Sequence, residues 1–234
     1  RDAQESRGLG DVYKRQAMEY AIYATVGLLS GLCFYYLARY QIQVRSIYDT
    51  ENKGQRINNI GYRIAWMVVP AVLFVGIALK EFDYWQTVRY MLIILMAINV
   101  AGIDMLIRRI PNALLLGMLL LQICNIVITS GGLDVFMDTF FNSFMGLIIA
   151  YVIFVIPGFF KLRIGAGDVK YSAVIGFMLG LQGYVEAMAV MGFTIFIYYL
   201  FLKITRRGNL KTAAPMAPFL SGGVLVSLFF PLIY

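Results

Sequence analysis

The chain has 234 residues, of which 60% are apolar and 14% charged, with a formal net charge of +7. A soluble domain runs at roughly 45–50% apolar and about 25% charged, so the composition excludes an ordinary water-soluble domain and points to lipid as the solvent. There is no histidine, which excludes Ser-His and Cys-His nucleophilic machinery and histidine-ligated zinc.

Residues 1–16 differ from the remainder of the chain: they are polar, carry four basic residues and precede Met18, the first methionine. They read as a non-native leader and are set aside from the fold. A helix crossing the ~30 Å hydrocarbon core needs about 20 apolar residues. In chain order the apolar segments are 18–37, 62–79, 88–106, 113–129, 140–160, 169–181, 184–202 and 216–234, the sixth being the shortest. The expected fold is all-α, a polytopic membrane bundle of about eight transmembrane helices. Residues 17–87 hold two N-terminal spans and their connecting loop; residues 88–234 hold a six-helix core. Cys33 and Cys124 lie inside apolar runs and form no CxxC pair, so no metal site is expected. The polar stretch 41–60 lacks suitable metal ligands and reads as a flexible connector.

Lys and Arg alternate by loop. The first, third, fifth and seventh loops hold fourteen; the second holds Lys80 and Arg89; the fourth and sixth hold none, and the sixth carries only Glu186. The positive-inside rule then places the odd loops in the cytoplasm and both ends of the span series outside.

Most acidic residues lie in loops, but Asp104 and Asp168 do not. Asp104 sits about one turn before the inner end of the third span, and the sixth span opens at Asp168, so both face the same leaflet. A carboxylate at membrane depth costs about 2.5–3.5 kcal/mol at a helix centre and less near the interface. Ordinary roles exist for each: an i,i+4 pair of Asp104 with Arg108, and an N-cap at Asp168. Before Asp168, Gly165-Ala166-Gly167 offers open backbone without bulky side chains, which an extended peptide could approach. The sixth span is too short for the core, and non-helical backbone at depth survives only if buried in protein or lining a wet cavity. Two close carboxylates share a proton and titrate as a pair. The ionised member would take a proton from a water attacking a peptide carbonyl, while the protonated member would polarise that carbonyl and help protonate the leaving amine.

At these residues the chain resembles the type IV prepilin peptidases, intramembrane aspartic peptidases with a GxGD motif. The likeness rests on Asp104 followed by Arg108-Arg109-Ile110-Pro111-Asn112, on Gly165-Ala166-Gly167-Asp168-Val169-Lys170, and on Pro215-Met216-Ala217-Pro218-Phe219-Leu220. It implies catalysis by Asp104 and Asp168; Gly165, Ala166 and Gly167, by their open backbone, are the residues expected against the substrate. It also implies cleavage of a prepilin or pseudopilin leader on the cytoplasmic side of a bacterial inner membrane. Partners would be that substrate helix and the bilayer, with no nucleic acid. No cofactor is implied for hydrolysis; S-adenosylmethionine would enter only with an added N-methyltransferase activity, for which no motif is present. The four-cysteine site of many bacterial members is missing from 41–60. The reading from another class is a proton- or cation-coupled transporter using the same two aspartates.

Overall fold

The structure, a computed structural model, describes residues 2–45, 53–80, 82–159, 164–206 and 214–230, with backbone alone for 2–12 and 53. The described residues form an all-helical bundle: α1 Asp2–Val44, α2 Ile60–Ala78, α3 Tyr84–Ile107, α4 Asn112–Thr129, α5 Leu133–Phe159, α6 Ala166–Ile204 and α7 Ala217–Phe229. Six of them are long and apolar enough to cross a membrane, and α7 is a shorter apolar helix of 13 residues. Polar residues cap the starts of two. Asn59 Oδ1 accepts from Gly61 N–H at 3.1 Å before α2, and Asp83 Oδ1 accepts from Gln86 N–H at 2.7 Å before α3.

The first five apolar segments fall on α1 to α5 and the eighth on α7, while the sixth and seventh share α6. Gly180, with φ 69°, breaks that helix. Twelve residues of straight helix would separate Ser172 and Tyr184 by about 18 Å, yet their hydroxyls meet at 2.7 Å. The arms 166–179 and 181–204 therefore fold back on one another. Groups left without helical partners at the reversal find side chains: Asn142 Oδ1 accepts from Leu181 N–H at 3.1 Å, and Arg89 donates to the Met178 carbonyl at 3.0 Å.

Arg89 and Glu186 are thus not loop charges. Arg89 lies in the second turn of α3 and also donates to Gln122 Oε1 at 2.8 Å. Glu186 is buried on the second arm of α6, accepting from Ser227 at 3.1 Å. The connector also differs from expectation in part. Residues Lys53–Asn58 form a 3-10 turn, Ile57 is buried, and Tyr35 donates to its carbonyl at 3.1 Å. Residues 46–52 of that stretch lie outside the described ones. The backbone of 2–16 continues α1.

Helix α3 is the central element: 56% of its apolar window is buried, against 22–39% for the other five long helices. Helix contacts run through small residues. Side chains at Gly146 and Gly176 would each run into the other's carbonyl, so α5 and the first arm of α6 meet backbone to backbone. Gly223 of α7 meets the Ala187 carbonyl in the same manner, and Gly102 of α3 receives the Trp66 ring of α2. In lipid, where hydrocarbon does not drive helices together, such close approach supplies the attraction. Gly176→Ala should therefore cost about 1–3 kcal/mol of stability, the overpacking range, read as a lowered thermal unfolding midpoint in detergent. Gly192→Ala, on the same helix with open space around it, should be neutral or slightly stabilising.

Candidate active site

Three helix ends converge at one end of the bundle. Helix α3 stops where Arg108 adopts the left-handed conformation at φ 52°, its N–H bonded to the Asp104 carbonyl at 2.9 Å. This leaves Asp104 one turn inside, 5% exposed. Its Oδ2 accepts from the Ala217 N–H at 3.3 Å, at the first turn of α7. A helix start carries partial positive charge and unpaired N–H groups, so it suits a carboxylate.

Helix α6 starts at Ala166 with Gly165 as its N-cap, and Asp168 occupies the third helical position. Its carboxylate turns back toward Gly165, and Asp168 itself lies inside the first helical turn, so it is not the cap. A Cβ on Gly165 would stand 2.8 Å from Asp168 Oδ2, so glycine there makes room for this carboxylate. Asp168 Oδ1 is buried and has no hydrogen-bond partner among the described residues.

Asp104 and Asp168 line one cavity of about 390 Å³ and lie within coulombic reach of each other. The same cavity is lined by Gly165, Ala166 and Gly167, so all five residues singled out in the sequence meet here. Gly165 is extended, whereas Ala166 and Gly167 are already in the first helical turn. Arg45, Arg108, Arg109 and Lys170 complete a cationic rim, and Ile110 and Asn112 bring in the start of α4. The first arm of α6 is about 21 Å long at 1.5 Å per residue. It is too short for a ~30 Å core, and the open backbone before it lines the cavity.

A tie lies beneath the acids. Tyr171, one turn after Asp168 and fully buried, meets Ser221 Oγ at 2.7 Å; Ser221, one turn after Ala217, donates to the Ala97 carbonyl of α3 at 3.0 Å. The three helices carrying the site are thereby fixed to each other. Neither residue stands out in the sequence; their signal is a hydroxyl one turn from a site residue within an apolar run. The Ala217 contact uses backbone and has no side-chain signal at all.

Residues 91–204 match the sequence model of the type IV leader peptidase family. No curated protein and no solved structure gives a significant match.

Ser221→Ala should leave the buried Tyr171 hydroxyl unpaired at a cost of about 1–3 kcal/mol. Adding Tyr171→Phe should recover part of the loss, a non-additivity that thermal unfolding of the single and double variants would measure.

Proposed function

Because residues 91–204 match the type IV leader peptidase family, we propose that the chain is an aspartic endopeptidase that cuts the leader from a type IV prepilin or pseudopilin. The observation that carries this reading is the shared cavity of Asp104 and Asp168 at one end of an apolar bundle. The work is done by the pair. One carboxylate, ionised, takes a proton from a water as its oxygen bonds to the scissile carbonyl carbon. The other, protonated, hydrogen-bonds the carbonyl oxygen; as the C–N bond breaks, the pair returns a proton to the leaving amine. The roles of base and acid are not divided between the two residues.

Local geometry supports this division of labour between backbone and side chains. Asp104 is held by the Ala217 N–H, and the Asp168 carboxylate lies against Gly165. Asp168 Oδ1 is buried without a partner among the described residues, on a side chain that lines the cavity. Gly165, Ala166 and Gly167 present little side-chain bulk along the cavity, where an extended peptide could lie. The four cations on the rim fit a cytoplasmic position by the positive-inside rule, and the proposed setting is a bacterial inner membrane. The hydrolysis proposed uses no cofactor. A transporter built on the same acids would need neither a peptide nor both carboxylates together.

The test is incubation of the purified full-length protein with a prepilin in detergent, followed by mass. Loss of the leader is expected from the parent. Asp104→Asn and Asp168→Asn should each lower kcat/KM by on the order of 10³-fold; full activity in either variant would contradict a dyad. Gly165→Ala, which displaces the Asp168 carboxylate, should cost about 10–100-fold. The kcat/KM profile against pH should be bell-shaped, since the pair must hold one proton. A profile with a single ionisation would argue for only one working carboxylate.

A further inference from the structure

A second polar cavity, of about 220 Å³, lies at the other end of the bundle. Arg89 precedes Asp104 on α3 by fifteen residues, about 22 Å along the axis, so this cavity is separate from the aspartate pocket. Arg89 and Glu186 both face it, together with Asn142, Gln182 and Ser227. At ~30 Å³ per water it has room for roughly seven.

We propose that this cavity binds the headgroup of phosphatidylethanolamine, with the phosphate on Arg89 and the ammonium on Glu186. Three observations carry the assignment. The first is the pairing of charges. One guanidinium and one carboxylate share the cavity, so a simple anion would meet Glu186 and a simple cation would meet Arg89. A dipolar group satisfies both. The Arg89 Nε is buried and has no partner among the described residues, while another nitrogen of the same group is held by Gln122 and the Met178 carbonyl. Both of these bonds are made by the same terminal nitrogen, so the guanidinium is held in place from one side while it lines the cavity.

The second observation is location. Arg89 lies five residues into α3, about 8 Å from its start, and Ser227 lies two residues before the end of α7. Both positions are where the headgroup region meets a transmembrane bundle. The third is the border. Phe141 and Val185, the sequence neighbours of the lining residues Asn142 and Glu186, and Met145 one turn further along α5 are exposed apolar side chains, a surface for acyl chains. Ethanolamine is favoured over choline because its ammonium carries N–H donors that a carboxylate and the amide oxygens of Asn142 and Gln182 can accept. A quaternary nitrogen has none.

The experiment is native mass spectrometry of the delipidated full-length protein. It is titrated separately with phosphatidylethanolamine, phosphatidylcholine and phosphatidylglycerol of matched acyl chains, and with free phosphoethanolamine. Phosphatidylethanolamine should be retained at least fivefold better than the other two lipids. Glu186→Gln should abolish that preference, and Arg89→Lys, which keeps the charge but not the fork, should weaken it. Equal retention of all three lipids by the parent protein would overturn the proposal without recourse to any variant. So would a preference that survives Glu186→Gln, or free phosphoethanolamine competing as well as the lipid, which would assign the cavity to a soluble ligand.

Discussion

Two carboxylates inside an apolar bundle must be held by something other than water, and here backbone does the holding. Helices α6 and α7 both begin where α3 ends, so two sets of unpaired N–H groups face the acids. The Ala217 N–H reaches Asp104, and the Asp168 carboxylate lies against Gly165 at the start of α6. The Ala217 bond satisfies a donor that a helix start would otherwise leave open, and offsets part of the cost of a charge removed from solvent. The direction of three helices is therefore tied to two side chains. The hydroxyl chain from Tyr171 through Ser221 to the Ala97 carbonyl fastens those helices one turn further in.

The other constraint is the reversal at Gly180. It divides a 39-residue helix unequally and makes the first arm shorter than a membrane is thick. A short arm whose far end is anchored by Asn142 and Arg89 brings its opening residues inward, to the depth of Asp104 on α3. Backbone-to-backbone contact at Gly146 and Gly176 sets how close that arm lies to α5. Thus the polar cluster at one end of the bundle helps to position the pocket at the other.

Much of this is legible in the sequence, for identifiable reasons. Apolar length reveals membrane helices because a bilayer demands it, and all eight segments fall on helices among the described residues. The alternation of basic residues is enough by itself to put Asp104 and Asp168 at one end. What is not legible depends on shape. A single glycine at φ 69° joins two spans into one reversing element, yet Gly180 is surrounded by other glycines with ordinary conformations. Arg89 and Glu186 look like loop charges because they fall near segment boundaries, and only packing shows them inside. Gly165 reads as open space for a substrate, whereas its missing Cβ first makes room for Asp168. The tie through Ser221 and Ala217 joins residues more than a hundred positions apart from α3, beyond the reach of local pattern.

The central claim is that Asp104 and Asp168 share one water-accessible pocket. It is tested most directly by cross-linking the full-length Asp104→Cys/Asp168→Cys protein in membranes, with Cys33 and Cys124 replaced by alanine. A short water-soluble bis-methanethiosulfonate, which loses two sulfinates as two mixed disulfides form, should join the two cysteines within one chain, and an impermeant thiol-reactive reagent should block both from the same side. Labelling of the two positions from opposite sides of the membrane, with no cross-link formed, would contradict the account.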